Sequence, residues 1–189
     1  MRIIAGEFRG RRLLAPKDET TRPVTDRVKQ SMFDILSPLI EESVVYDVFA
    51  GTGSMGLECL SRGAKQAVFF ERDASALKQL RGNISALGVG QSSQVVATDL
   101  FKWFEIQPAI DASVRAGLIF LDPPYRMLRE NGDALKALAT QMRERHLTRD
   151  GIVVFRHDGQ DALELPSLQR ANVREYGGMM VEFLAMRDT

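Results

Sequence analysis

Apolar residues recur along this chain in two alternating rhythms. Short, nearly continuous runs at 44–50, 67–70, 94–97, 118–121 and 151–155 are rich in Val, Ile and Phe, which predicts strands of a parallel sheet covered on both faces. Between them the spacing is helical. Val28, Met32, Phe33, Ile35 and Leu36 share one face of a helix opening at Thr25 or Asp26 and ended by Pro38. Leu57 and Leu60 belong to a helix closed by Gly63, and Leu77, Leu80, Ile84 and Leu87 to one running from Asp73 to Gly88. A short helix is predicted near 101–104 and a longer amphipathic one over 130–145. The end of the chain differs, because 173–176 and 181–186 are strand-like runs separated only by Gly177-Gly178, the pattern of a hairpin. The expected fold is therefore α/β: a doubly wound, seven-stranded, mostly parallel sheet with an antiparallel C-terminal hairpin.

Residues 2–14 alternate charge and apolarity around Gly6 and Gly10, which predicts a small β-hairpin ahead of the sheet. The expected organisation is a basic hairpin extension over 1–22 followed by the α/β domain over 23–189. A length of 189 residues suits one domain with an appendage. Lys+Arg and Asp+Glu balance at 25 each, so total charge points to no partner. Its distribution does: Arg2, Arg9, Arg11, Arg12 and Arg22 crowd the N-terminal segment, as a phosphate-binding surface would require. The same arginines also suit an edge strand guarded against pairing. The single cysteine, Cys59, excludes an intrachain disulfide, and His146 and His157 lack ligand-spaced partners, so no metal is expected. No apolar stretch approaches the roughly 20 residues of a membrane span, and a cytoplasmic protein is expected.

Two motifs carry chemistry. The first strand runs into Gly51-x-Gly53-x-x-Gly56, and Glu71 closes the second strand, about 20 residues after the first glycine. This fits a ribose-bearing ligand, whether a nicotinamide dinucleotide or S-adenosylmethionine. Asp47 lies within the apolar first strand, where a carboxylate needs a partner that a cationic ligand amine would supply. Asp99 follows the third strand, where it could accept from an adenine amino group. Acids at neighbouring strand ends suit a cationic adenosine ligand better than a pyrophosphate, which favours helix N-termini and bases. The second motif, Asp122-Pro123-Pro124-Tyr125, ends the fourth strand in a turn of one defined path, since each proline fixes its own φ and lacks an N–H. Asp122 and Tyr125 are thereby held at the carboxyl end of a strand, where open α/β sheets bind ligands.

Asp47-x-Phe49-Ala50-Gly51-x-Gly53 resembles motif I of the class I S-adenosylmethionine-dependent methyltransferases, a Rossmann-like fold. Asp122-Pro123-Pro124-Tyr125 resembles the [DNS]-P-P-[YF] motif of enzymes that methylate exocyclic amino nitrogens of nucleobases. Together with Arg2-Ile3-Ile4-Ala5-Gly6 and Arg22-Pro23-x-Thr25-Asp26-Arg27-Val28, these place almost the whole chain in the likeness of the RsmD-type 16S rRNA guanine-N2 methyltransferases. The resemblance implies catalysis by Asp122, Pro123 and Tyr125. It implies S-adenosylmethionine held by Asp47, Phe49, Ala50, Gly51, Gly53, Glu71, Asp99, Leu100, Thr25 and Arg27. It implies 16S rRNA, within small-subunit assembly particles, bound through Arg2, Arg9, Arg11, Arg12 and Arg22 by a monomer. From spacing alone, Thr25, Asp26 and Arg27 serve equally well as a helix cap and surface charges. The alternatives are a DNA or RNA adenine-N6 methyltransferase and, from another class, an NAD-dependent oxidoreductase. Phe155-Arg156-His157-Asp158 is more charged than the family pattern leads one to expect, and the sequence offers no role for it.

Overall fold

The computed structural model describes residues 1–15, 25–107 and 114–187. Its sheet has seven strands in the order β3-β2-β1-β4-β5-β7-β6. The chain divides into two compact units, Met1–Thr98 and Asp99–Thr189.

In the first unit, helix α1 (Asp26–Leu36) begins where Thr25 turns extended, with its hydroxyl accepting the Val28 N–H at 3.4 Å. Its buried stripe is Lys29, Met32, Phe33 and Leu36, so a lysine occupies one position of the apolar face. Strand β1 (Val44–Val48) is buried at every residue, as expected of an interior parallel strand. Helix α2 (Ser54–Ser61), β2 (Gln66–Glu71), α3 (Ala74–Leu87) and β3 (Ser93–Ala97) follow in alternation. Asp73 caps α3 by accepting the Ala76 N–H, and Gly88 closes it at φ 71°. β2 pairs in parallel with both β1 and β3.

The N-terminal residues pair at a single antiparallel bridge, Arg2 opposite Arg12, supported by Ile3 N–H to Arg11 O at 3.0 Å and Gly10 N–H to Ile3 O at 2.9 Å. This hairpin is seated on α2. Glu58 accepts the Ile4 and Ala5 N–H groups at 2.9 and 3.0 Å, and Ser61 Oγ accepts from Phe8 N–H and donates to Ala5 O. Gly6 sits at φ 82°, and a Cβ there would fall 1.7 Å from the Ser61 carbonyl oxygen, so only glycine permits the approach.

The second unit holds α4 (Leu100–Ile106), β4 (Ala116–Leu121), α5 (Tyr125–Glu130), α6 (Gly132–Gln141), β5 (Leu147–Asp158), β6 (Leu168–Tyr176) and β7 (Met179–Met186). β4 and β5 are parallel; β7 runs antiparallel to both β5 and β6. Two expectations change. The helix expected over 130–145 is present as α6 from Gly132, its last turn π-helical over Met142–His146, and a separate short helix, α5, precedes it across Asn131, whose φ of −133° leaves the helical region. Asn-Gly at 131–132 has low helix propensity, which accounts for the break. β5 does not stop at Phe155 but continues through Arg156, His157 and Asp158, each paired with β7. Among the described residues no helix is long and apolar enough to cross a membrane.

Candidate active site

The glycine loop is shaped by its backbone. Phe49, directly after β1, takes φ 63°, a left-handed conformation costly for an aromatic residue and of the kind that accumulates at functional sites. Ala50 N–H then donates to Phe70 O, Gly51 N–H to Glu71 Oε2 at 2.8 Å, and Gly53 N–H to Ala50 O. The three glycines have different reasons to be there. Gly51 has φ 55° and a Cβ on it would meet nothing within 4 Å, so the loop surface is open at that point. A Cβ on Gly53 would lie 2.4 Å from Leu80 Cδ1, and one on Gly56 2.4 Å from the Phe69 ring; these two let loop and helix close onto α3 and β2.

Asp47, Glu71 and Asp99 each have backbone partners. Asp47, expected to await a ligand amine, is 3% exposed and accepts the Gly56 N–H at 2.9 Å, so it braces the start of α2 from within β1. Glu71 uses Oε2 for Gly51 and Oε1 for the Arg72 and Asp73 N–H groups, which fixes the carboxylate at the end of β2. Asp99 caps α4, accepting from Phe101 and Lys102, and Leu100 behind it is buried. Thr25 and Arg27 are exposed at the start of α1, where Thr25 is the helix cap.

Four polar residues given no role from the sequence, Asn83, Lys29, Glu58 and Arg62, secure this region. Asn83, 2% exposed on α3, accepts from Leu14 N–H at 2.7 Å and donates to Thr52 O at 3.0 Å, tying the N-terminal segment to the glycine loop. Lys29 lies 2.9 Å from Glu58, both almost wholly buried, and also reaches Ser54 Oγ at 3.1 Å. Arg62 pairs with the other oxygen of Glu58 and stacks over Phe33. Burial pushes the Lys29 ammonium below its ordinary pKa, with Glu58 working in the opposite direction. Burial would raise the Glu58 carboxyl, but the Lys29 charge, the Ile4 N–H and Arg62 hold it below its usual value. A signal did exist: Lys29 and Asn83 fall on the apolar face of their helices.

Asp122 and Pro124 lie part-exposed after β4, with Pro123 buried and Tyr125 the first residue of α5. The Asp122 carboxylate meets a fork: Arg156 Nε donates to Oδ1 at 2.7 Å and Nη2 to Oδ2 at 2.5 Å. The pair follows directly on the β4–β5 register Leu121↔Phe155. Neighbouring Glu182 accepts from Arg170 at 2.6 Å and stands 3.5 Å from His157 Nε2.

Of the basic N-terminal residues, Arg2, Arg9, Arg11 and Arg12 are exposed, and Arg2 pairs with Asp26 at 2.7 Å. Arg22 lies outside the described residues. Trp103 packs edge-on to Phe104 and beside His146, and Cys59 is fully buried with its thiol pushed well up by burial and then by Asp47 and Glu58. Both are packing residues here. Among the described residues, no three His, Cys, Asp or Glu side chains are grouped to hold a metal ion.

This strand order, with a glycine loop between β1 and α2 and an antiparallel terminal hairpin, is the fold of the class I methyltransferases. An RNA methyltransferase from Salinibacter ruber, solved with S-adenosyl-L-homocysteine, shares that fold at TM-score 0.61 and 16% identity over 88% of this chain and 95% of its own. Escherichia coli yhhF superposes at TM-score 0.81 with 27% identity, covering 100% of this chain and 99% of its own. The chain belongs to the family described as Conserved hypothetical protein 95, the RsmD family, which matches residues 1–185. Bacillus subtilis YlbH is 36% identical over 167 residues, 88% of this chain and 86% of YlbH. Ribosomal RNA small subunit methyltransferase D of Haemophilus influenzae is 40% identical over 129 residues, 66% of this chain and 64% of that protein.

Proposed function

We propose that this protein transfers a methyl group from S-adenosylmethionine to the exocyclic N2 amino group of a guanine in 16S rRNA, acting as a cytoplasmic monomer on small-subunit assembly particles. The observation that carries the reading is the turn Asp122-Pro123-Pro124-Tyr125 at the end of β4, in a chain whose relatives include small-subunit rRNA methyltransferases. The residues of the first unit fit the cofactor: the loop surface is open above Gly51, and the Glu71 carboxylate is fixed beside it. Glu71 would hold the ribose, Asp99 and Leu100 the adenine, and Phe49, Ala50, Gly51 and Gly53 the methionine end. Asp47 would act on that end through the α2 amide it braces. Thr25 and Arg27 would line the same pocket. When bound, the cofactor supplies an electrophilic methyl group on a sulfonium.

The chain's own work falls on the amino group. Its lone pair is delocalised into the purine, which makes it a poor nucleophile. Asp122 accepts one amino N–H and the Pro123 carbonyl the other, turning the lone pair out of the ring, and these two hydrogen bonds strengthen as positive charge develops on nitrogen. Tyr125 stacks on the base and fixes its plane. The methylated nitrogen loses its proton readily, so positioning carries most of the rate. Arg9, Arg11, Arg12 and Arg22, with Arg2, hold rRNA phosphates.

The deciding experiment is methyl transfer from labelled cofactor to small-subunit particles and to naked rRNA, with the modified nucleoside identified. N2-methylguanine is expected. N6-methyladenine would overturn the base assignment, and calorimetric binding of NAD in place of S-adenosylmethionine would overturn the cofactor. Asp122→Ala is expected to reduce transfer at least about 100-fold while leaving cofactor affinity within a few-fold.

A further inference from the structure

The charged end of β5, which had no role in the sequence, contacts the catalytic turn directly. We propose that Arg156 is the positioning residue of the methyl-acceptor site: its guanidinium fork holds the Asp122 carboxylate in one orientation and offsets its charge, making Asp122 a fixed acceptor. The inference rests on the reading of Asp122 as the acceptor for the target amino group.

Geometry carries it. Both Arg156 contacts are made by different nitrogens to different carboxylate oxygens, the planar match that fixes orientation as well as distance. Each oxygen has two lone-pair directions, so a carboxylate held by the fork still has capacity for an incoming N–H. The support is rigid. Arg156 is 8% exposed, pairs with Val181 on β7, and places Nη1 3.7 Å from Met179 Sδ. The Asp122 side chain is 22% exposed against 10% for Arg156, so it is the acid, not the base, that keeps an open edge.

Charge explains why the fork is needed. The motif admits Asp, Asn or Ser at its first position, and Asn and Ser are neutral acceptors. With Asp122 the turn gains a full negative charge, and Arg156 brings it back towards the neutral case. A point charge would offset the acid without fixing its plane, which is the difference between lysine and arginine at such a site.

The test is a set of purified variants assayed for kcat, for KM towards the rRNA substrate and for cofactor affinity. Arg156→Gln is expected to lower kcat about 100-fold, the usual consequence of misplacing a reacting group by an ångström, with KM and cofactor affinity within about threefold. Arg156→Lys should recover less than a tenth of the lost rate. In an Asp122→Asn background, itself slower but measurable, Arg156→Gln should cost less than about threefold, because no charge is left to offset. A kcat for Arg156→Gln within threefold of wild type, or above it, overturns the proposal; so does an equal cost in both backgrounds. If Arg156→Gln alone does not fold, Arg156→Lys takes its place, and a kcat for it within threefold of wild type overturns the proposal. The Arg156 Nε–H resonance in 15N-labelled protein, displaced by Asp122→Asn, reads the pair without any methyl transfer. A wild type that shows this resonance yet methylates no rRNA overturns the acceptor reading, and with it any catalytic role for Arg156.

Discussion

His146 shows what a single buried side chain does to the acid limb of stability. It packs against Trp103 at 5.5 Å and edge-on to Phe104 at 4.9 Å. Burial, followed by the charges of Arg145 and Arg115, lowers its pKa from 6.5 to about 4. The folded pKa lies below the unfolded one, so between those values the unfolded chain binds more protons. The stabilisation is therefore complete above pH 6.5 and drains away as pH falls towards 4. Thermal midpoints at pH 7 and pH 4.5 should draw closer together in His146→Leu than in the wild type. Legibility at this scale followed chemical distinctiveness. Asp122, Glu71 and the loop glycines stood out because acids and glycines interrupt apolar runs at strand ends. Arg156 stood out as unexpectedly charged and Lys29 and Asn83 fell on apolar faces, but none could be given a role, since the partner lies far along the chain: 34 positions for Arg156 and Asp122, 69 for Asn83 and Leu14.

At the scale of elements, the hairpin and α2 form one device centred on Glu58. This carboxylate receives Lys29, Arg62 and two hairpin amides, leaving it fully buried and fully engaged. Removing one member of a buried ion pair strands the other, which costs about 3–5 kcal/mol. Glu58→Ala should lose about that much in urea unfolding at pH 7, and amide exchange at Ile4 and Ala5 should accelerate with it. Because Glu58 is held below its ordinary value of 4.5, its stabilisation persists above that pH and disappears as pH falls through the depressed folded value. Periodicity located these elements well where caps were explicit, as at Thr25, Asp73 and Gly88. It missed α5, a six-residue helix that opens directly on the prolines and is set off from α6 by Asn131. It stopped short in β5, because Arg156 and His157 are charged or polar and yet are buried by partners that only the fold supplies.

For the whole molecule, a net charge of zero makes the placement of charge decisive. Arg9, Arg11 and Arg12 project from the hairpin into solvent, whereas Arg2 is already paired with Asp26. If those three meet phosphates of single-stranded rRNA, replacing them with alanine should reduce the slope of log affinity against log salt by about 2, at roughly 0.7 per contact. Cofactor affinity should not move. An unchanged slope in filter binding across 50–200 mM salt would place the RNA contacts elsewhere. The α/β alternation and the closing hairpin made the architecture readable from the sequence, because strand runs, helical spacing and Gly177-Gly178 all agreed. The base was not legible in the same way, since the stacking face and two acceptors proposed for Tyr125, Asp122 and Pro123 would serve any exocyclic amine.

Helix α2 has a consequence for how such a chain can change over time. Seven of its eight residues are buried, with Gly56 against Phe69, Glu58 and Ser61 against the hairpin, and its first turn braced by Asp47. A helix on the rim of a domain normally keeps one face where substitutions accumulate harmlessly. This one has none, so any replacement in it must be matched at once by the sheet, the loop or the arm. The N-terminal arm, which looks like an appendage, is thereby bound to change at the pace of the glycine loop.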